Sequence, residues 1–313
     1  MTETSKVIFE KFQVRKTKKQ KTAFIKYVKG LSAARGYDVK VEKGSLGARN
    51  IVVGDPDTAK VIYTAHYDTS PVLPFPNFIT PKNIFIYILY NIALAIAMLA
   101  VMFTLVFAAG VIISLTVGFD AVNVRFISML IYWAILLLLI FGPANKHTAN
   151  DNTSGVTTLI DLMSEMPEEL RRDAAFVFFD LEEVGLFGSR GFASKHKAAM
   201  KNKLLVNFDC VSDGENVLIV PRKGARGCAD ELRRAYESTE SISVEVATKS
   251  VFYPSDQACF PCGVGVAALK KTKRGNILYM NRIHTNRDVI YREENIEFLV
   301  SGSVKLTKIM SEK

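Results

Sequence analysis

The stretch KVIYTAHYD, residues 60–68, carries the features that decide how this chain folds. Residues 60–65 are mostly apolar or β-branched and predict a strand, which runs directly into His66. Asp68 follows two residues later. Because open α/β sheets place their sites at the carboxyl ends of strands, we expect both side chains to belong to such a site.

Strand and helix patterns alternate on both sides of this stretch. The short apolar run 174–180 is typical of a buried central strand. Further strands are predicted at 37–42, 50–53, 204–208, 244–248 and 264–269, and helices at 152–166, 188–196, 228–238 and 293–311. The alternation predicts an α/β fold, a three-layer α/β/α sandwich with a mostly parallel central sheet.

Acidic residues and histidines recur where the predicted strands end. Five groups share this position, namely residues 64–68, 149–152, 180–183, 207–209 and 283–288. A carboxylate at a strand end is more often a helix cap or an ion-pair partner than a metal ligand, so no single group is informative. Their joint occurrence, in this order, indicates a site built from carboxylates and imidazoles, which suit zinc.

The motifs in these groups resemble those of the co-catalytic zinc aminopeptidases of metallopeptidase family 28. That family also includes glutamate carboxypeptidase II and the single-zinc glutaminyl cyclases. The matching motifs are H-x-D at 66–68, N-D-N-x-S-G at 150–155, E-E-x-G-L-x-G-S at 182–189, F-D at 208–209, Y-x-S-D at 253–256 and H-T-x-x-D at 284–288. One departure is Gln257, where many relatives have a histidine.

The resemblance implies a zinc-exopeptidase fold with two Zn²⁺ ions per chain. By position, Asp151 bridges the two ions, and the other four ligands are His66 and Asp209 on one ion and Glu183 and His284 on the other. This arrangement leaves room for a shared water, as a catalytic zinc site requires. Glu182 acts as the general base that takes the proton of that water.

Four further residues receive roles outside the ligand set. Asp68 is expected to orient the ring of His66 by accepting its second N–H. Tyr253, Ser255 and Asp256 are assigned to a substrate-side loop. Asp288 either belongs to the site or caps the following segment, and the sequence does not distinguish the two roles.

Two uncharged stretches, 83–119 and 126–145, interrupt the peptidase pattern. Each is long enough to span a bilayer. If His66 and Asp151 share one site, the chain returns to the side it left, so the number of spans is even. We expect two spans at about 84–106 and 124–143, joined by a loop with Gly118 and Asp120. The first stretch is longer than one span requires, so it forms either one long tilted helix with an apolar loop near Gly110 or two short spans. The predicted domains are therefore a catalytic domain, 1–82 and 144–313, and an inserted transmembrane hairpin, 83–143.

The charge pattern predicts the orientation and the partners. Residues 1–12 lack an apolar core of signal-peptide length, and Lys82 and Lys146 flank the spans on the domain side against Arg125 in the loop. We expect an integral protein of the cell membrane with its catalytic domain in the cytoplasm. Residues 1–35 are interpreted as a basic amphipathic helix, in which the run 15–21 forms a solvated face or contacts anionic lipid. The net charge of +9 has no nucleic-acid-binding motif beside it, so the bilayer is the expected partner and nucleic acid is not.

The sequence thus predicts a membrane-embedded zinc metallopeptidase, a hydrolase acting on peptides. The hairpin either presents membrane-proximal peptides to the site or serves only as an anchor. Aminopeptidase activity is expected from the common activity of the family, with a carboxypeptidase or another amidohydrolase as the alternative. A non-catalytic membrane receptor or scaffold is a hypothesis of another class, but all five ligands and the base are present. A channel or transporter would need ionisable residues in the uncharged stretches. The oligomeric state is not indicated.

Overall fold

The stretch around His66 forms a strand near the middle of a large sheet. A computed structural model describes residues 2–116, 121–275 and 277–313 of the chain. The predicted loop residues Gly118 and Asp120 lie outside these ranges. The strands within the ranges are β1 (Val39–Lys43), β2 (Arg49–Val53), β3 (Val61–His66), β4 (Ala174–Phe179), β5 (Leu204–Phe208), β6 (Asn216–Pro221), β7 (Ser243–Val246), β8 (Gly263–Lys271) and β9 (Leu278–Tyr279).

The described strands form one mixed sheet in the order β1-β2-β4-β3-β5-β8-β6-β7, with β9 paired to β8. The four central strands, β4, β3, β5 and β8, are parallel. Strands β1 and β2 on one side, and β6 on the other, join them in antiparallel pairs. The prediction of a mostly parallel central sheet is confirmed for these four strands. Strand β6 was not predicted.

Helices cover both faces of the sheet. The described α-helices are α1 (Glu3–Phe12), α2 (Lys18–Ala33), α3 (Ile84–Thr116), α4 (Ala121–Phe141), α5 (Gly155–Glu165), α6 (Phe187–Lys195), α7 (Ala229–Ala235) and α8 (Glu293–Ser311), of which α3 and α4 lie outside these layers. Val61 and Tyr63 of β3 face a cluster that includes α5 and α8, whereas Ile62 faces the cluster of Phe192 in α6. The period-two alternation of the strand thus builds the predicted three layers.

The N-terminal segment differs from the prediction of one amphipathic helix. The chain leaves the helical conformation after Phe12 and re-enters it at Lys18, because Thr17 and Gln20 form a reciprocal capping box. The basic run 15–21 is also not a uniformly solvated face. Arg15 is fully buried, and Lys21 is buried in an ion pair with Asp180 at 2.5 Å. Both cations face inward because backbone carbonyls and a carboxylate compensate their desolvation.

The two uncharged stretches form long helices whose apolar side chains face outward. Among the described residues, α3 and the Val124–Phe141 part of α4 are long and apolar enough to cross a membrane, and neither window is buried in the protein. Helix α3 is continuous through Thr116 rather than ending near residue 106. A side chain at Gly110 would stand 4.0 Å from Val124 of α4, so a small residue occurs where the helices approach.

Candidate metal centre

Three neighbouring strands bring acids and a histidine to one edge of the sheet. His66 is the last residue of β3 and pairs with Phe179 of the parallel strand β4. Glu182 and Glu183 follow β4 closely, and Asp209 comes directly after β5. Since β4, β3 and β5 are adjacent and parallel, their carboxyl ends place these side chains together.

A turn before α5 brings Asp151 to the same edge. The side chain of Asn152 holds the turn to the end of β5 by donating to Phe208 O at 3.0 Å and accepting from Cys210 N at 3.2 Å. Asp288 accepts the backbone N–H groups of Asn150 at 2.7 Å and Asp151 at 2.9 Å. These bonds fix Asp151 through its main chain and leave its carboxylate free to face the site.

The backbone beside the site adopts unfavourable conformations at three residues. Leu181, Cys210 and His284 have φ values of 57°, 57° and 59°, in the left-handed region that non-glycine residues rarely occupy. Each lies within two residues of Glu183, Asp209 or His284 itself. Local strain at functional positions persists where the surrounding structure determines it, and it indicates a site rather than an ordinary loop.

The five predicted ligands converge around the carboxylate of Asp151. His66 Nε2 lies 3.2 Å from Asp151 Oδ1 and 3.6 Å from Asp209 Oδ1. His284 Nε2 lies 2.8 Å from Asp151 Oδ2 and 3.1 Å from Glu183 Oε2. The two oxygens of Asp151 therefore face two different pairs of side chains.

These separations fit ligands of zinc. Bonds of about 2.0–2.1 Å in a tetrahedron place neighbouring ligand atoms about 3.3 Å apart. The four measured separations, from 2.8 to 3.6 Å, bracket that value. Glu183 Oε1 is buried and has no hydrogen-bond partner among the described residues, as expected of a group that a cation completes.

The buried histidines and carboxylates of the centre shift one another's pKa values. Burial lowers the pKa of His66 and of His284, but the neighbouring carboxylates outweigh it and raise both values well above normal. Burial raises the pKa of Asp151, and the two histidines outweigh it and lower that value. The carboxylates of the centre therefore favour positive charge beside them, which a bound zinc ion would supply.

Glu182 and Asp256 hold their protons more strongly than an ordinary carboxyl group does. Burial raises the pKa of Glu182 well above normal, and Asp256 and Glu183 add to this rise, while His66 opposes it. Burial also raises the pKa of Asp256 to about 7. A carboxyl group whose pKa is raised by burial and by like charges is suited to move a proton near neutral pH.

Comparison with known proteins agrees with this geometry. The model of a family described as Peptidase family M28 matches residues 119–299, which is more than half of the chain. The chain belongs to peptidase family M28. The match contains four of the five residues around the centre and leaves out His66. As a family member, the chain is a zinc metallopeptidase. A comparison with curated protein sequences gave no match.

Solved structures show that this M28 peptidase has the fold of distant relatives. An aminopeptidase of Legionella pneumophila, LapA, is 12% identical with a TM-score of 0.58, covering 99% of this chain and 70% of that chain. A glutaminyl cyclase of Porphyromonas gingivalis is 14% identical with a TM-score of 0.57, covering 98% and 95%. A glutaminyl cyclase of Bacteroides thetaiotaomicron bound to N-acetylhistamine is 15% identical with a TM-score of 0.53, covering 97% and 94%.

Asp68 of the M28 peptidase contacts the site differently from the prediction. Its Oδ1 lies 3.6 Å from His66 Nδ1, which is beyond hydrogen-bond distance. The carboxylate instead accepts the backbone N–H groups of Glu182 at 3.0 Å and Glu183 at 3.3 Å. Asp68 therefore fixes the segment that carries the base and a ligand, and its role towards His66 stays a prediction.

The predicted substrate-side loop of the M28 peptidase is largely buried. Tyr253 donates its hydroxyl to Asp209 O at 2.9 Å, and Ser255 accepts from Asn207 at 3.2 Å. Gln257 donates to Tyr253 O at 2.6 Å and so holds the loop in the place where relatives have a histidine. Asp256 alone in this loop keeps two buried oxygens without a hydrogen-bond partner among the described residues.

Three residues near the centre were missed as site residues. Arg15 donates to Tyr67 O at 2.5 Å and contacts Thr153 Oγ1 at 3.4 Å, so it joins the segments that follow His66 and Asp151. Lys16 is half-buried, and its charge interacts with Glu183 and Asp68. Cys210 donates its thiol to Asp209 Oδ1 at 3.2 Å, and its Sγ lies with carboxylate oxygens of Asp151 and Asp209 in a group that could hold a metal ion. The capping box at Thr17 was the available sequence signal that a second helix begins at Lys18, so that residues 1–35 are not one helix.

The segments that flank the inserted hairpin meet beside the His284 loop of the M28 peptidase. Val72 donates its N–H to Pro143 O at 2.9 Å, and Leu73 donates to His284 O at 2.7 Å. Asn145 donates its side-chain amide to Thr285 O at 3.1 Å. The His284 side chain is 20% exposed against 1% for His66, so the centre opens on the side where the hairpin begins.

Proposed function

We propose that this protein is a membrane-embedded exopeptidase with two zinc ions, which removes residues from the free N-terminus of peptides. The observation that carries the proposal is the division of the Asp151 carboxylate between His66 and His284. One oxygen faces each histidine, at 3.2 Å and 2.8 Å. Asp151 would hold one cation together with His66 and Asp209, and a second cation together with His284 and Glu183.

The residues of the chain would divide the chemistry as follows. Zinc, when bound, polarises the carbonyl of the scissile bond and makes a water molecule more acidic. Glu182 takes the proton of the attacking water and delivers it to the nitrogen of the leaving peptide. Its raised pKa favours that return of the proton. Asp68 keeps Glu182 in place through the backbone N–H group that it accepts at 3.0 Å.

Helices α3 and α4 are proposed to span the bilayer as a hairpin. A helix of 33 residues is about 50 Å long, which exceeds the roughly 30 Å of a hydrocarbon core. The first turns of α3 contact the domain, where Tyr87 packs on Phe252 and Tyr90 reaches Pro76 O. These contacts support a site at the membrane surface and peptides presented close to it as substrates. Lys82 and Lys146 beside the spans favour a cytoplasmic domain.

A reporter screen with the full chain in detergent tests the proposal. One set of fluorogenic peptides has a free N-terminus and a blocked C-terminus, and the second has an acetylated N-terminus and a free C-terminus. Hydrolysis of the first set alone, abolished by a zinc chelator and restored by added zinc, is the expected result. Hydrolysis of the second set alone contradicts aminopeptidase activity and favours a carboxypeptidase. No hydrolysis of either set by zinc-loaded protein contradicts an exopeptidase.

A further inference from the structure

A pocket of about 660 Å³ that adjoins the metal centre is lined by five basic side chains. They are Lys16, Lys18, Lys21, Lys43 and Arg49, and the acid in the lining is Asp180. They come from the segment before α2, from the start of α2, and from the facing ends of β1 and β2. A pocket with this lining attracts negative charge.

Asp180, the acidic residue in the lining of the pocket, already has two partners. Asp180 pairs with Lys21 at 2.5 Å and accepts the backbone N–H group of Arg49 at 3.0 Å. In the part of the chain that the structure describes, no carboxylate lies within 4 Å of the charged groups of Lys16, Lys18, Lys43 or Arg49. These four cations therefore have no ion-pair partner in the described residues, and of them Arg49 donates its guanidinium to Thr22 Oγ1 at 2.8 Å and Lys18 O at 3.3 Å.

One chain segment connects the pocket with the metal centre. Asp180 lines the pocket and directly follows β4, and Glu182 and Glu183 come two and three residues later. Lys16 lines the pocket, and its charge also interacts with Glu183 and Asp68. Lys16 thus connects the pocket electrostatically with two acids of the centre.

We propose that this basic pocket is a substrate subsite that binds a carboxylate of the peptide. The inference rests on the exopeptidase activity proposed above. Lysine ammonium groups in a partly desolvated pocket form charge-assisted hydrogen bonds with a carboxylate. Two sources supply that group, the side chain of an aspartate or glutamate and the C-terminus of a short peptide. The connection through Lys16 favours a substrate over a lipid phosphate, which needs no link to the metal centre.

The test compares Lys16→Met and Lys43→Met with the parent protein on three peptide reporters with free N-termini. One reporter is neutral with an amidated C-terminus, the second adds a glutamate, and the third is neutral with a free C-terminus. The matched control is Lys19→Met, which removes an exposed charge of α2 outside the pocket. Lys16→Arg keeps the charge.

The proposal predicts a loss of about 10- to 100-fold in kcat/KM for one or both anionic reporters, as expected when a charged hydrogen bond is removed. With Lys43→Met the neutral reporter changes by less than about 3-fold, and the Lys19→Met control changes little. With Lys16→Met the anionic reporters lose more than the neutral reporter does, and Lys16→Arg restores most of this preference. The reporter that loses more identifies the source of the carboxylate.

Two results overturn the proposal while leaving the peptidase activity standing. One is an equal loss on neutral and anionic reporters. The other is a loss seen only with phosphatidylserine vesicles, which assigns the pocket to a lipid phosphate. If the parent protein hydrolyses none of the three reporters, the exopeptidase activity fails and the subsite fails with it.

Discussion

The metal centre and the hairpin depart from the ordinary pattern of a soluble protein in opposite ways. The centre buries acids, since the side chains of Asp151 and Glu183 are 4% and 5% exposed. The hairpin exposes apolar groups, since Leu99 and Phe103 are 59% and 73% exposed. Buried charge and exposed apolar surface are both costly in water.

The comparison shows what each region needs from its surroundings. The acids around Asp151 need positive charge, and the side chains of α3 need an apolar surrounding. Zinc supplies the first, and we propose that a bilayer supplies the second. The two regions come together at the His284 loop, where Leu73, in the segment before the hairpin, donates its N–H to His284 O at 2.7 Å. Because the two requirements differ, a change that affects one of them should leave the other intact.

The largest effect is expected from Asp151→Asn. An amide in place of the shared carboxylate removes a ligand from both proposed ions, and peptidase activity should fall by more than about 10⁴-fold because the base and the polarised carbonyl both depend on them. Zinc content by atomic emission should fall in parallel, while recovery from membranes stays unchanged. Asp161→Asn, an equally buried acid far from the centre, is the control. Full zinc content in Asp151→Asn contradicts its bridging role.

Glu182→Gln sharpens the distinction between binding metal and moving protons. The amide keeps the shape of the side chain but accepts no proton, so kcat should fall by about 10²- to 10⁴-fold with the zinc content unchanged. Kinetics with a free-N-terminus reporter and atomic emission on one sample measure both effects. Glu237→Gln, on the surface, should behave like the parent protein. Turnover within a few-fold of the parent removes the role of Glu182 as the base.

Leu99→Arg tests the hairpin side of the comparison. A charge at the middle of a span costs about 2.5–3.5 kcal/mol, so the membrane-inserted fraction should decrease clearly in a carbonate-extraction assay. Leu46→Arg is the matched control, because Leu46 is 75% exposed on the catalytic domain. Equal behaviour of the two variants contradicts a membrane-spanning α3.

Arg15→Met should produce the smallest of these effects and separates packing from chemistry. It leaves Tyr67 O and Phe12 O without their buried donor, which costs about 1–3 kcal/mol of unfolding free energy. Thermal unfolding in detergent measures the loss. Lys19→Met should stay within about 0.5 kcal/mol. A thermal midpoint equal to that of the parent shows that the buried guanidinium contributes no net stability.

The sequence was most informative where periodicity and motif coincide. Strand β5 and helix α8 have the predicted bounds, and His66 ends β3 as expected. Each of these segments combines an apolar pattern with a neighbouring acid or histidine. The five predicted ligands lie together because adjacent parallel strands bring their ends together.

In other segments the sequence pattern was not sufficient to predict the structure. Arg15 and Lys21 resemble surface cations in sequence, and only the fold shows that Asp180 and a backbone carbonyl stand opposite them. Strand β6 is a short apolar run, which periodicity alone does not distinguish from another buried segment. The length of α3 was underestimated because composition indicates a span but not where its helix ends.

Zinc stoichiometry of the full chain, purified in detergent without chelators, tests the central claim most directly. Atomic emission on protein of known concentration should give about two zinc ions per chain, because the Asp151 carboxylate faces two ligand pairs. A value that stays near one with excess zinc contradicts the shared site, and a value near zero contradicts a zinc centre at Asp151.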